Sequence, residues 1–306
     1  MNFLLRGRIR TFADMLRKLL PISLLIAVLF LVSCQDKRFA QEKIQLTVSI
    51  IPQKYVASSI AGDKFDVQVM LPTGSNHETY EPTPRDIEKI SSSRFYFALG
   101  ALDFELTWLD RFKASNENMK IVNTSDGIEL IKGHAHHDHD HTTTENRGID
   151  PHTWLSPACM KIQAATICQA LSDFDTSNSV YYNENLARFN HLADSVDSII
   201  RKKLSGSAGK SFLIFHPALA YFARDYNLEQ ISIEQEGKEP SPAYLGELIK
   251  MAKKKGIKSV FISKEFDTRN AEAIAREIDG KVVIFDPMAE NWAENMILLA
   301  ELIASN

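Results

Sequence analysis

Runs of β-branched and aromatic residues alternate with stretches of helical spacing along most of this chain. The first half predicts strands at 46–51 (ending at Pro52), 65–71, 95–99 and 121–122. Helical pattern falls between them, from Pro52 to 60 and over 86–91 and 104–112. The second half repeats the rhythm, with strands at 212–215, 230–233, 259–262 and 282–285 and helices at 219–225, 243–255, 270–278 and 292–303. Alternation of this kind argues for parallel sheets covered by helices on both faces. Between the halves, 178–203 carries Leu186, Phe189, Leu192, Val196, Ile199 and Ile200 at helical spacing with no Gly or Pro. A helix of that length is a rod of about 40 Å, and Ser205-Gly206-Ser207-Ala208-Gly209 breaks it. The expected fold is α/β: two lobes, each with a parallel sheet flanked by helices, joined by one long rigid helix. The expected boundaries are a first lobe over 44–177, a connecting helix over 178–204 and a second lobe over 205–306.

The first forty residues set the compartment. Arg6, Arg8, Arg10, Arg17 and Lys18 precede an apolar run over 19–32. That run is shorter than the ~20 residues that span a bilayer and suits the apolar core of a secretory signal. It ends in Leu31-Val32-Ser33-Cys34, which has the form of a bacterial lipobox. On that reading 1–33 is a lipoprotein signal peptide, Cys34 is the lipidated first residue and 34–43 is a tether to the membrane. The competing reading is a permanent membrane anchor with an incidental cysteine. Gln35 lacks the Asp that retains lipoproteins at the inner membrane in some bacteria, so a periplasmic or cell-surface location is open. With 35 basic and 39 acidic side chains, the charge balance gives no case for nucleic acid. Cys159 and Cys168, if one helix holds both, lie about 13 Å apart, too far for a disulfide. They are expected as small buried apolar residues.

Five of the nine histidines (His134, His136, His137, His139 and His141) crowd into 133–141, interleaved with Asp138 and Asp140. With its polar flank this segment, 133–147, cannot build a core; its composition suits loose metal binding, or a solvated loop without a role. Four other segments bring donors to expected strand ends. They are Gly74-Ser75-Asn76-His77-Glu78-Thr79-Tyr80-Glu81-Pro82, Asp150-Pro151-His152-Thr153-Trp154-Leu155, Phe215-His216-Pro217-Ala218 and Phe285-Asp286-Pro287. Ligands bind beyond the carboxyl ends of strands in open α/β sheets, and imidazoles with carboxylates converging there suit a tetrahedral Zn²⁺.

With Pro52-Gln53-Lys54-Tyr55, Ile60-Ala61-Gly62-Asp63 and Glu239-Pro240-Ser241-Pro242, these segments resemble the cluster A-I metal-binding lipoproteins of ABC importers, zinc-uptake type. The resemblance spans nearly all of the chain beyond Cys34. It implies two α/β lobes, a rigid connecting helix, one metal between the lobes, and delivery of that metal to a permease and its ATPase by a monomeric, non-enzymatic carrier. It also implies His152 and His216 as two ligands and Asp286 as a carboxylate ligand. The first ligand departs from the family pattern Gly-x-x-Pro-His-x-Tyr-Glu-Pro. Laid on 74–82 without gaps, that pattern puts its His on Glu78 and its Pro on His77. Either Glu78 replaces the imidazole, which Tyr80-Glu81-Pro82 favours by fixing the register, or the loop shifts and His77 binds.

Imidazole donors favour Zn²⁺, whereas more oxygen favours Mn²⁺. The resemblance adds that the manganese branch has a carboxylate where His216 stands, and that a His-rich loop marks the zinc branch. Mn²⁺ or iron is the alternative cargo. Two readings from other classes are a zinc hydrolase, with Glu78 or Glu81 as general base, and a surface adhesin. Against the hydrolase, there is no His-Glu-x-x-His; the adhesin predicts no stoichiometric metal.

Overall fold

The computed structural model describes residues 43–133, 148–234 and 240–305. The signal segment 1–33, Cys34 and the tether up to 42 lie outside the described residues, as do His134, His136, His137, His139, His141 and Glu239.

Two four-stranded parallel sheets form the frame. The first runs β2–β1–β3–β4 from β1 (Ile44–Val48), β2 (Phe65–Val69), β3 (Phe95–Ala98) and β4 (Lys120–Asn123). The second runs β6–β5–β7–β8 from β5 (Ser211–Ile214), β6 (Glu229–Ser232), β7 (Ser259–Ile262) and β8 (Lys281–Ile284). The same strand order in both sheets makes them topological copies. Helices α1 (Ile51–Ala61), α2 (Pro84–Ile90) and α3 (Asp103–Ser115) connect the first sheet. Helix α4 (Pro157–Phe174) follows, then the long α5 (Ser179–Lys203). Helices α6 (Ala220–Asp225), α7 (Pro242–Lys255), α8 (Arg269–Glu277) and α9 (Trp292–Ala304) belong to the second half.

Every strand expected from periodicity is present, within a few residues at each end. The largest boundary difference is at β1, which stops at Val48 because Pro52 sits in the first turn of α1, where its fixed φ and missing N–H are tolerated. Helix α2 likewise begins at Pro84, behind a Thr83/Asp86 capping box. Helix α4 is absent from the pattern-based expectation; Pro157 and the Ser156 cap start it, and it carries Cys159 and Cys168, both buried and free.

The main core does not stop at the lobe boundary. One continuous cluster runs from Leu46, Phe95 and Trp154 through Phe189 and Val196 of α5 to Phe212, Phe261, Trp292 and Met296. Helix α5 is its spine, with α1, α4 and the C-terminal α9 packed along it. A second cluster (Leu213, Ile231, Leu248, Val260, Ile274) fills the other face of the second sheet. Burial on this scale, at about 25 cal/mol per Å² of apolar surface, makes α5 a rigid connection. Among the described residues no helix is long and apolar enough to cross a membrane.

The C-terminal edge of the first sheet is tied by a buried polar network. Glu105, with no exposed surface, accepts the backbone N–H groups of Leu99 (2.8 Å) and Gly100 (2.6 Å) and the Ser49 hydroxyl. Gln53 accepts from the Ser49 N–H at 2.8 Å and donates to Thr124 Oγ1 at 3.0 Å. The ends of β1, β3 and β4 are thus fixed to one another.

Candidate metal centre

The loop after β2 carries His77 and Glu78. Tyr80 closes it, its hydroxyl donating to the Met70 carbonyl at 3.1 Å. The Glu78 N–H is turned onto Asn76 Oδ1 at 2.8 Å, an Asx turn. His152 stands just before the 3₁₀ turn Thr153–Leu155. Asp150, two residues earlier, accepts both its backbone N–H and its Nδ1–H at 2.8 Å each. His216 follows β5, and its neighbour is set by sheet register. Ile214 pairs with Ser232 in the parallel ladder, and Ile233 N–H and Glu234 N–H continue it onto Ile214 and Phe215 carbonyls. Two residues past the last pair, His216 lies beside Glu234, with Nδ1 3.2 Å from Oε2.

The three imidazoles converge. Ring centroids are 5.1 Å apart for His77–His152, 5.2 Å for His152–His216 and 5.9 Å for His77–His216. One ligand nitrogen from each lies within 4.8 Å of the others; a tetrahedral zinc shell places donors about 3.4 Å apart. His77 and His152 are buried, at 6 % and 3 % exposure. Nε2 of His152 and of His216 is buried with no hydrogen-bond partner. Buried polar atoms are rarely left unpaired, and here the other nitrogen of each ring faces a carboxylate. That arrangement assigns the proton to Nδ1 and leaves an Nε2 lone pair aimed inward. A carboxylate–imidazole pair of this form orients a metal-ligating histidine and raises its basicity.

A second group, Glu78, His216 and Glu234, overlaps the first. Glu78 Oε1 lies 3.5 Å from His216 Nδ1. Burial holds the His77 imidazole well below its ordinary pKa, and the neighbouring His152 and His216 push the same way. Burial lowers His216 too, but the Glu234 hydrogen bond and the charges of Glu78, Glu234 and Asp150 outweigh it and leave this group raised. Burial thus disfavours the charged form of His77, while the carboxylates around His216 favour a proton there.

Four of the expected ligand residues, His77, His152, His216 and Glu78, meet at this place. Asp286 does not join either donor group. Its Oδ2 lies 2.5 Å from Lys264 Nζ, and its Oδ1 accepts the Met288 N–H at 2.9 Å. Glu234 was not among the expected residues, and Asp150 had no assigned role; the sequence signal for Asp150 is its two-residue spacing to His152. Glu234 has no local signal and is found only through the β5–β6 register.

The chain matches, over residues 46–305, the family described as "ZnuA: Zinc-uptake complex component A periplasmic". It belongs to that family. The high-affinity zinc uptake system protein ZnuA of Bacillus subtilis is 27% identical over 255 residues, covering 81% of this chain and 79% of the relative. A crystal structure of ZnuA superposes with a TM-score of 0.79 at 38% identity, covering 86% of this chain and 99% of that one. A ZnuA variant lacking residues 138–173 of its own chain, solved with zinc bound, gives 0.78 at 38% identity, covering 86% and 97%. The two lobes and the long helix joining them are the family fold.

Proposed function

We propose that this protein captures Zn²⁺ outside the cytoplasmic membrane and delivers it to the permease and ATPase of an ABC importer. The observation that carries the reading is the pair of buried, unpartnered Nε2 atoms on His152 and His216, each on a ring braced by a carboxylate and both beside the neutral His77. Three imidazoles of this kind suit zinc. Membership of a periplasmic zinc-uptake family supports the same reading. The ligands are His77, His152 and His216, with Glu78 as the fourth donor and Asp286 held aside by Lys264. Asp150 and Glu234 orient the rings. The protein works as a monomer, without a catalytic step, tethered through lipidated Cys34. The histidines of 133–147 add weak, fast-exchanging sites.

Mn²⁺ is the second cargo to consider, because Glu78 and Glu234 set two carboxylates against His216. Elemental analysis of protein from residue 41 onward, purified without added metal and titrated against a chelator, separates these. One tightly held zinc per chain is expected, with fewer weak sites and unchanged tight binding after deletion of 133–147. Loss of the tight site on that deletion, or equal affinity for Mn²⁺, overturns the assignment.

A further inference from the structure

One indole backs the two imidazoles of the first lobe. Trp154 is fully buried, with its ring centroid 5.0 Å from that of His152 and 6.1 Å from that of His77. Its indole N–H and its backbone carbonyl both bond to the other half of the molecule. Its Nε1–H donates to the Pro287 carbonyl at 2.9 Å, and its own carbonyl accepts the Nε1–H of Trp292 at 2.7 Å. Pro287 leaves the end of β8 and Trp292 opens α9, so both bonds join chain positions more than a hundred residues apart. The Trp292 ring in turn lies against Tyr55 of α1 (6.2 Å) and Phe189 of α5 (5.9 Å). Buried carbonyls left unpaired are costly, which gives this reciprocal pair of bonds its hold.

Neither bond uses a cation-donor atom. The contact between the lobes therefore does not need the ion as its cross-link. The same residue that makes that contact also forms the wall against which His77 and His152 rest, two residues along the chain from His152.

We propose that Trp154 is a positioning residue for the cation site: its reciprocal indole–carbonyl bonds with Pro287 and Trp292 make the lobe contact and the placement of His77 and His152 one mechanical unit. This rests on the cation-site reading above. Loosening the clasp then speeds release of the ion without changing the donor set.

The test uses Trp154→Phe and Trp292→Phe, which remove one donor each and keep an aromatic ring, with Trp108→Phe on α3 as control. Stopped-flow transfer of Zn²⁺ to a chelator reads dissociation. Both clasp variants should release zinc about 10-fold faster or more, the scale of changes beside metal ligands. They should keep wild-type stoichiometry, and Trp108→Phe should match wild type. Trp292→Phe is decisive, because it leaves the Trp154 ring in place against the imidazoles. A lowered Tm with wild-type dissociation rates in folded variants means a merely structural role and overturns the proposal. Should Trp154→Phe not fold, Trp292→Phe and hydrogen exchange of the Trp154 indole N–H in wild-type protein carry the test. Protection with and without zinc is expected; fast exchange in zinc-free protein overturns the clasp. If the wild type takes up no zinc, the functional reading fails, while indole exchange still reports on the clasp.

Discussion

Replacing Asp150 by Asn keeps the shape of the side chain and removes its charge. Asp150 is 8 % exposed, and its Oδ1 accepts both the N–H and the Nδ1–H of His152 at 2.8 Å. The ring that its carboxylate faces is that same imidazole. The charge has two effects: it holds the ring in the tautomer that presents Nε2, and it makes that nitrogen a stronger donor. Loss of such a partner typically costs about 10–100-fold in metal affinity, or about 1.4–2.8 kcal/mol. Because zinc bound to the native state stabilises by mass action, the zinc-induced rise in stability should shrink by the same amount. At about 2 °C per kcal/mol for a chain of this length, the rise in Tm on adding zinc should be about 3–6 °C smaller than in wild type. Chelator competition and melts with and without zinc read the two quantities independently. The zinc-free melt should move less than the zinc-loaded one, since Asn also relieves a buried charge. The reasoning is refuted if Asp150→Asn keeps affinity well inside the about 10-fold floor, or if the zinc-free protein loses as much stability as the loaded one.

Alanine at His77, His152 or His216 should each weaken zinc by more than the ~100-fold upper range of changes beside ligands, and Glu78→Ala by less than His77→Ala. Asp286→Ala, which frees Lys264, should stay below about 10-fold; in chelator competition, a loss at Asp286 as large as at His216 would move the carboxylate ligand there. Zinc binding should also depend on pH through His216 rather than His77. His216 is raised above its ordinary pKa of about 6.5, so zinc displaces a proton from it, and affinity falls as pH drops through that raised value. His77 is lowered well below 6.5 and releases none in that window. In the zinc-free protein, stability owed to His216 is full below about 6.5 and lost as pH rises through its folded value. Stability owed to keeping His77 neutral runs the other way and is lost as pH falls below about 6.5. Calorimetry in buffers of different ionisation enthalpy should count the released proton, and Glu234→Gln should reduce the count; an unchanged count would remove Glu234 from the account.

The alternation of β-branched runs with helical spacing, and the uninterrupted apolar stripe from Leu186 to Ile200, contained the fold class, because strand and helix periods are local properties of the chain. The resemblance, carried by short motifs, located His152, His216 and the His77/Glu78 loop. Helix α4 escaped the pattern because apolar residues stand on both its faces: Ala158 and Ala165 are exposed while Met160, Ala164, Ile167, Cys168 and Leu171 are buried, so its sequence shows no single apolar stripe. The choice between neighbouring His77 and Glu78 lay beyond local reading. Where the two side chains go is set by the turn at Asn76, which sends the His77 ring to His152 and leaves Glu78 against His216. The carboxylates were also a tertiary matter. Glu234 reaches His216 because β5 and β6 pair in one register, and Asp286 is drawn off by Lys264, twenty-two residues earlier. Which charges meet depends on how strands are ordered and how the lobes are clasped through Trp154 and Trp292. A list of donor residues therefore names the chemistry, and only the crossing of the two halves decides which of them converge.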